Sequence, residues 1–229
     1  MAEEVSAKVT CHPSASCPPR MPPKRGRRPY RSGTCPGEAG GGEGGVREVS
    51  VLFADLQGFT AFAERHAPTE VTDMLNQFFE VAIPPVVERH GGVIDRLVGD
   101  AMMVTFNTRG DQPDHAERAA RSALAIQDAA GQVVRRYPEW PRFRVGVNSG
   151  EVAVSILGTS GGRTQTIIGD VVNTASRLES EAPVGGVAIG SGTADLLVGA
   201  ELETLGRVTV KGKSEPVNAF RLVSLRGRD

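Results

Sequence analysis

The pattern of apolar and polar positions changes at Val46, and from there the chain predicts alternating strands and helices. The apolar run over 49–54 predicts a buried strand, because a short run bounded by polar residues fits a strand inside a core. Apolar residues then recur at helical spacing through Val81, which predicts a helix that Pro84 and Pro85 kink or end. The first recognisable unit is therefore a strand followed by a helix.

The remaining pattern predicts a hairpin, further helices and further strands. Apolar runs over 93–98 and 101–106 flank Gly99 and Asp100, which is typical of two hairpin strands around a tight turn. Later segments predict a helix after Asp114, a strand over 143–156, a strand over 164–168, a helix over 171–181, a small helix over 193–198, and strands around Val208 and Phe220. Strand, helix, two strands, helix and strand is the order of an α+β, ferredoxin-like split βαβ fold (βαββαβ).

Residues 1–45 differ in composition from the rest of the chain. They are rich in Pro, Gly and Ser and carry a basic cluster, with no acidic residue between Glu4 and Glu38. Such a segment buries too little apolar surface to offset the entropy lost on ordering, so we expect a disordered tail before a domain over 46–224. The basic cluster fits either a solvated tail or a contact with an anionic surface.

Composition and charge place further limits on function. The chain of 229 residues has a formal net charge of −1, which gives no chain-wide electrostatic reason to expect a nucleic-acid partner. No apolar run approaches the roughly 18 residues of a membrane helix, so we expect no membrane partner. The three cysteines, Cys11, Cys17 and Cys35, all lie in the tail, and a body without cysteines fits a reducing cytoplasm.

Two aspartates are placed where strands end or turn. Asp55 follows the first strand and Asp100 lies in the hairpin turn, so both carboxylates can converge at one edge of the sheet. Carboxylate oxygens suit Mg²⁺ or Mn²⁺, which also bind substrate phosphates, and paired ions of this kind assist phosphoryl chemistry. Asp100 alone would more often be an ordinary turn residue. Together the two aspartates predict a candidate metal site.

Two other groups have the chemistry of phosphate and sugar recognition. The backbone amides after Asp55 precede a predicted helix, where an anion can bind, and Gly58 allows a phosphate to approach closely. Asn173 and Arg177 are four residues apart and project from one helix face, where Arg can bind phosphate and Asn a sugar oxygen. Each group alone is typical of an ordinary turn or of a solvated helix surface.

These groups occur in five segments of the chain. The segments are VSVLFADLQGFTAF (49–62), GGVIDRLVGDAMMVTF (91–106), FRVGVNSGEVAVSILG (143–158), TIIGDVVNTASRLES (166–180) and LGRVTVKGKSEPV (205–217). In their order and spacing they resemble the catalytic domain of class III nucleotidyl cyclases, and the resemblance covers nearly all of 46–224. It implies the same α+β fold and the formation of 3′,5′-cyclic AMP and pyrophosphate from ATP.

The resemblance also assigns roles to individual residues. Asp55 and Asp100 match the family's two metal-binding aspartates, which hold two Mg²⁺ or Mn²⁺ ions. Asn173 matches the residue that orients the ribose, and Arg177 matches the one that stabilises charge at the α-phosphate in the transition state. The residues that match contacts to the rest of the nucleotide are Gly58, Phe59 and Thr60 at the phosphate-binding turn, Lys211 with Lys213 at the terminal phosphates, and Arg96 and Thr166 at the purine.

The resemblance further implies an assembly of two chains. In this family the metal ligands come from one catalytic domain, and the Asn, Arg and purine-selecting residues come from the other. This chain carries both sets, so a head-to-tail homodimer would have two equivalent sites. In the implied reaction the ribose 3′-hydroxyl attacks the α-phosphorus and pyrophosphate leaves, and the protein contributes positioning and charge stabilisation.

Arg96 departs from the family's usual pattern, because adenylyl cyclases usually have lysine at this position. Arg keeps the charge and can donate to adenine N1, while the Thr166 hydroxyl can accept from the exocyclic amine. Threonine at that second position resembles the class IIIb subset. Guanylyl cyclases typically have an acidic first selector, so Arg96 favours ATP, although it could also donate to the guanine carbonyl. A guanylyl cyclase and a catalytically inactive, nucleotide-binding regulatory module stay open as alternatives.

Overall fold

The structure is a computed structural model. It describes residues 45–84, 86, 89–159, 162–210 and 215–226, and for 156–159 and 162–166 it describes the backbone alone. The predicted disordered tail, up to residue 44, lies outside the described residues together with its three cysteines. None of the helices in the described ranges is long and apolar enough to cross a membrane.

Within these ranges the chain forms strands β1–β8 and helices α1–α5. The strands are β1 (Gly45–Gln57), β2 (Val93–Val98), β3 (Ala101–Phe106), β4 (Arg142–Thr159), β5 (Gly162–Ile168), β6 (Val187–Gly190), β7 (Ala200–Val208) and β8 (Val217–Leu225). The helices are α1 (Phe59–Ala63), α2 (Pro68–Pro84), α3 (His115–Arg136), α4 (Asp170–Glu181) and α5 (Ser191–Ala194). With α1 and α2 taken as one helical connection, the elements from β1 to β4 follow the predicted βαββαβ order.

The described strands form one mixed sheet. Its order is β2-β3-β1-β4-β6-β8-β7, and β5 pairs with β4 outside this path. β3 lies between β1 and β2 and runs antiparallel to both, and β1 also pairs antiparallel with β4. These four strands have the split βαβ arrangement of a ferredoxin-like fold, which confirms the predicted α+β class. β6 extends the sheet by pairing parallel with β4.

β1 is buried on both faces, which explains its continuous apolar run. Alternate residues of a strand face opposite sides of the sheet. Leu52 and Ala54 belong to the large core that α2 and α3 cover. Val49 and Val51 belong to a second core beneath α4. The same alternation places Asp55 on the α4 side of the sheet, at the end of an otherwise apolar row.

Some boundaries differ from the sequence prediction. The hairpin strands β2 and β3 have the predicted bounds, but β1 continues to Gln57, so Asp55 lies inside the strand rather than after it. The extension arises because β4 pairs with β1 as far as Arg142. Helix α5 ends at Ala194, earlier than predicted. The sequence does not predict β6, because a strand of four residues is too short to show a periodic pattern.

Helix α4 lies directly on the backbone of β4 at Gly146. A Cβ atom at this glycine would lie 2.2 Å from the backbone nitrogen of Glu179 and 2.4 Å from the carbonyl oxygen of Ala175. Glycine is therefore required by the close approach of the helix. This contact fixes the position of α4 above the sheet, and with it the position of the polar residues along the helix.

A chain of buried polar side chains links β1 to α3, β4 and α5. The Oγ atom of Ser50 lies 2.8 Å from Nδ1 of His115 and 2.6 Å from Oγ of Ser149. Oγ of Ser149 lies 3.0 Å from Oγ1 of Thr193. All four residues are buried, so each of these hydrogen bonds satisfies a polar group that has little access to water.

The buried imidazole should make the stability of the fold depend on pH. Burial lowers the pKa of His115 below the usual 6.5, while the charges of Glu48 and Asp114 act in the opposite direction. The unfolded chain therefore takes up a proton that the folded chain resists. We expect the free energy of unfolding to fall as pH drops below 6.5, by at most about 1.4 kcal/mol per pH unit for this group.

The His115→Asn variant is the comparison that isolates this effect. Asparagine keeps a polar atom near Ser50 but does not titrate, so the variant should lose less stability than the wild type over the same range. Urea unfolding of both proteins from about pH 7.5 to about pH 5.5 measures the difference. Parallel pH dependences would show that His115 does not contribute to it.

Candidate functional site

The candidate site begins with two carboxyl groups at one edge of the sheet. Asp55 lies in β1, and Asp100 lies in the turn between β2 and β3, next to β1 because β3 pairs with it. The Asp100 carboxyl group lies close enough to Asp55 for the two charges to repel each other. The structure thus brings the two predicted aspartates together; we call them the acid pair.

The acid pair has an electrostatic environment that fits a divalent cation. Burial and the charge of Asp55 raise the pKa of Asp100 from 3.8 to about 6, because two nearby carboxylates repel each other. A divalent cation would remove this repulsion, and carboxylate oxygens are ligands that Mg²⁺ and Mn²⁺ prefer. In the part of the chain that the structure describes, no group of three or more acidic, histidine or cysteine side chains could hold a metal ion. A cation at the acid pair would therefore complete its shell with backbone, water or substrate oxygens.

A half-buried arginine lies beside the acid pair. Asp55 and Arg144 are opposite each other in the β1–β4 register, so their side chains share one face of the sheet. Nη1 of Arg144 donates to the backbone carbonyl of Ser180 at 3.0 Å. Its Nε is buried and has no hydrogen-bond partner among the described residues. A guanidinium held in this position places positive charge next to the acid pair, which favours a bound anion there.

A third carboxyl group approaches the acid pair from α4. Burial and the charge of Asp55 raise the pKa of Glu179 to about 7, and the charge of Asp100 acts in the same direction. A hydrogen bond from Ser180 and the charge of Arg144 oppose the shift. Glu179 therefore belongs to the same electrostatic cluster. The cluster holds more potential negative charge than Arg144 neutralises, which favours a bound cation.

Neither Arg144 nor Glu179 is predicted as a site residue from the sequence. The place of Arg144 depends on which residue of β4 lies opposite Asp55, and this register is not visible in the sequence. Glu179 has a weak signal, because Ala175 and Leu178 form part of the buried face of α4 and Glu179 lies four residues after Ala175. An acidic residue next to the buried face of a helix indicates a polar partner on the sheet below.

The turn after β1 has a backbone conformation that favours glycine. Gly58 has a φ of 92°, in the left-handed region, and immediately precedes α1. Phe59 packs against the main core, whereas Thr60 is exposed. Gly58 also lines a cavity of about 290 Å³, to which Arg65 and Arg142 contribute. The Phe59 ring thus has a packing role, and the polar groups that this turn can offer to a ligand are its backbone and the Thr60 hydroxyl.

Asn173 and Arg177 lie on the exposed face of α4. Both line a cavity of about 290 Å³ together with two serines of the same helix and Val210. Nη2 of Arg177 lies 2.7 Å from Oε1 of Glu181, in an ion pair that is about half exposed. Neither aspartate of the acid pair is among the described residues that line this cavity. The described lining of this cavity therefore contains one of the two groups of candidate residues and not the other.

The structure describes the other predicted residues less completely. Arg96 is exposed in β2, and its Nε donates to Oδ2 of Asp95 at 2.9 Å. Thr166 lies in β5, where the structure describes the backbone alone. Lys211 and Lys213 lie outside the described residues. The roles of Arg96, Thr166 and Lys211 toward a nucleotide therefore stay predictions.

Comparison with known proteins gives a match over most of the chain. Residues 44–223 match the family model described as the adenylate and guanylate cyclase catalytic domain. Adenylate cyclase 1 of Rhizobium meliloti (strain 1021) is 30% identical over 203 residues, which are 85% of this chain and 30% of that protein. Atrial natriuretic peptide receptor 2 of Homo sapiens is 34% identical over 173 residues, 73% of this chain and 16% of the receptor. The chain thus spans less than a third of the length of either curated relative.

Solved structures match the fold over a similar range. The adenylyl cyclase CyaB from P. aeruginosa superposes with a TM-score of 0.75 at 30% identity, covering 80% of this chain and 97% of that one. The guanylyl cyclase Cya2 superposes with a TM-score of 0.70 at 30% identity, covering 80% of this chain and 95% of that one. Structures named for either purine specificity therefore resemble this chain to a similar degree.

Proposed function

The chain belongs to the adenylate and guanylate cyclase catalytic domain family, and on that basis we propose that it converts ATP into 3′,5′-cyclic AMP and pyrophosphate. The observation that carries the proposal is the acid pair, Asp55 and Asp100, with the Arg144 guanidinium beside it. This group offers oxygen ligands to a divalent cation and a donor to phosphate, which suits a nucleoside triphosphate. Asn173 and Arg177 supply the remaining polar side chains that the reaction needs.

The acid pair and its neighbours would position the triphosphate. Asp55 and Asp100 would hold Mg²⁺ or Mn²⁺, two ions per site, and such ions when bound lower the pKa of an attacking hydroxyl and neutralise phosphate charge. The Arg144 guanidinium would contribute positive charge beside the phosphates. Lys211 and the turn over 58–60 contact the terminal phosphates. Together these residues hold the α-phosphorus in line with the ribose 3′-oxygen, so that the reaction proceeds within one bound molecule.

The reaction exchanges one bond at phosphorus for another. The ribose 3′-oxygen bonds to the α-phosphorus, and the bond from this phosphorus to the bridging oxygen breaks, so pyrophosphate leaves with the electron pair. The 3′-hydroxyl proton passes to solvent. Asn173 orients the ribose, and Arg177 stabilises the negative charge that grows on the α-phosphate oxygens, so Arg177 contributes most in the transition state.

We infer that the complete site forms between two copies of the chain in the cytoplasm. Asn173 and Arg177 line a cavity whose described lining does not include the acid pair, and a second copy can bring its own α4 to that pair. A head-to-tail homodimer would then have two equivalent sites. Leu97, Val98 and Ile168 are exposed apolar residues at the ends of β2 and β5, and such an interface would bury them.

For the purine we propose a preference for ATP over GTP. Arg96 can donate to N1 of adenine, and the Thr166 hydroxyl can accept from its amine. Guanylyl cyclase activity is the second candidate, because Cya2 matches the fold nearly as well as CyaB does and because arginine can donate to both acceptors on one edge of guanine. A catalytically inactive regulatory module is disfavoured, since the acid pair and the Asn–Arg pair of α4 are all present.

Product formation by the purified chain tests the proposed function. We expect cyclic AMP from ATP with Mg²⁺ or Mn²⁺ and none from the Asp55→Ala variant, which lacks half of the acid pair. Parallel reactions with GTP measure the purine preference. An excess of cyclic GMP would support the assigned site residues but would show that GTP is the preferred substrate. No product from a folded, dimeric wild type with either nucleotide would favour the regulatory module instead.

The Arg177→Ala variant should turn over slowly but bind ATP almost normally. Because this charge acts mainly in the transition state, we expect kcat to fall by about 100-fold or more while KM changes little. Arg221→Ala is the matched control, since Arg221 is also a half-exposed arginine, paired with Glu203 at 3.0 Å in the β7–β8 hairpin. A normal kcat for Arg177→Ala, or an equal loss in both variants, would contradict the assigned role.

A further inference from the structure

Strand β2 contains a bulge beside the residue that we place at the purine. Ile94 pairs with Val104 and Arg96 pairs with Met103, so Asp95 is an extra residue with no partner opposite it in β3. Consecutive side chains of a regular strand point to opposite faces, whereas a bulge re-aims them and can bring two neighbours to the same side. The bulge therefore explains how adjacent residues of one strand come into contact here.

The contact is a directed ion pair between Asp95 and Arg96. Nε of Arg96 donates to Oδ2 of Asp95 at 2.9 Å. The Asp95 side chain is 16% exposed and the Arg96 side chain 57% exposed, so the carboxylate is anchored near the sheet and the guanidinium projects from it. Because the bond uses Nε, the two terminal amino groups of the guanidinium have no partner among the described residues and remain available to a ligand.

An ion pair this exposed contributes little to the stability of the fold. Its main effect is on the arginine itself, because a planar guanidinium that is held at Nε can no longer turn freely about its long side chain. The terminal N–H groups of Arg96 then favour one direction. A restraint of this kind matters where the direction of a hydrogen-bond donor decides which ligand the site binds.

We propose that Asp95 is a positioning residue for purine selection, which fixes the Arg96 guanidinium so that the site accepts ATP and rejects GTP. The inference rests on the proposed function, which places Arg96 at the purine. Asp95 does not contact the nucleotide in this account and acts only through Arg96. Replacing a residue with that role should change the ratio of the activities toward ATP and GTP more than it changes the stability of the fold.

The chemistry of the two purines explains why a fixed donor discriminates. Adenine presents an unprotonated N1 that accepts a hydrogen bond from Arg96. Guanine carries a proton on N1, so a guanidinium N–H aimed at this atom meets another donor, and the mismatch disfavours GTP. An unrestrained guanidinium could turn toward O6 and N7 of guanine, which arginine binds well. Loss of Asp95 should therefore relax the selectivity toward GTP.

Graded variants of Asp95 test this inference. Selectivity is measured as the ratio of kcat/KM for ATP to that for GTP, and independently as the ratio of dissociation constants for non-reacting analogues of the two nucleotides. We expect the ratio to fall by about tenfold in Asp95→Ala, the size of one well-placed hydrogen-bonding contact to a base. The ratio should fall less in Asp95→Asn, because the asparagine amide oxygen can still accept a hydrogen bond from Nε of Arg96. Glu203→Gln, which breaks the exposed ion pair with Arg221, is the matched control and should leave the ratio unchanged.

A double-mutant cycle separates positioning from a general structural effect. In an Arg96→Ala background, Asp95→Ala should change the ratio no further, because the residue through which Asp95 acts is absent. The analogue dissociation constants supply this comparison even if Arg96→Ala turns over too slowly to assay.

Each outcome has a distinct meaning. If the wild type selects ATP and Asp95→Ala leaves the ATP-to-GTP ratio of kcat/KM unchanged, the inference is overturned and the proposed function stays intact. An equal fall of the ratio in both backgrounds also overturns it, since Asp95 would then act without Arg96. A wild type that forms no cyclic product from either nucleotide overturns the proposed function and the inference together.

Discussion

The antiparallel pairing of β1 with β4 is the constraint on which the rest of the structure depends. The register runs along the whole of β1, from Gly45 to Gln57, and it places Asp55 opposite Arg144. A slip of one residue would turn Asp55 into the core beneath α2 and α3 and would expose Ala54 on the other face. Because β1 is buried on both sides, such a slip is strongly disfavoured. The packing of an apolar strand therefore decides where the charged groups of the site lie.

Helix α4 connects this strand pair to the second group of candidate residues. It lies on the backbone of β4 at Gly146, so close that a side chain there would collide with it. One side of the helix directs Glu179 toward the acid pair, and the exposed side carries Asn173 and Arg177. In the proposed dimer the same rigid helix serves the site of its own chain and the site of its partner. Changes at the contact between α4 and β4 would then affect both sites at once.

The sequence predicts the parts of this arrangement that follow from local patterns. The β2–β3 hairpin and the ferredoxin-like class are confirmed, because apolar runs around a tight turn and the order of elements determine them. Arg144 and Glu179 were missed, since their proximity to Asp55 depends on the register of strands and on helix packing between segments distant in sequence. The bulge at Asp95 has no sequence signal of its own, because it arises from how β2 and β3 match along the hairpin. Strand β6 was missed because so short a segment shows no period.

The central claim is that each site joins residues of two copies of the chain. The most direct test of this claim is to mix two defective variants. Asp55→Ala lacks part of the acid pair and Arg177→Ala lacks the α4 arginine, so each variant alone has two defective sites per dimer. In a mixed dimer one site carries both defects and the other carries none. After subunit exchange in an equal mixture we predict recovery of about a quarter of the wild-type activity, as half of the dimers then have one intact site. Activity that stays at the level of the separate variants, although mixed dimers form, would contradict the account.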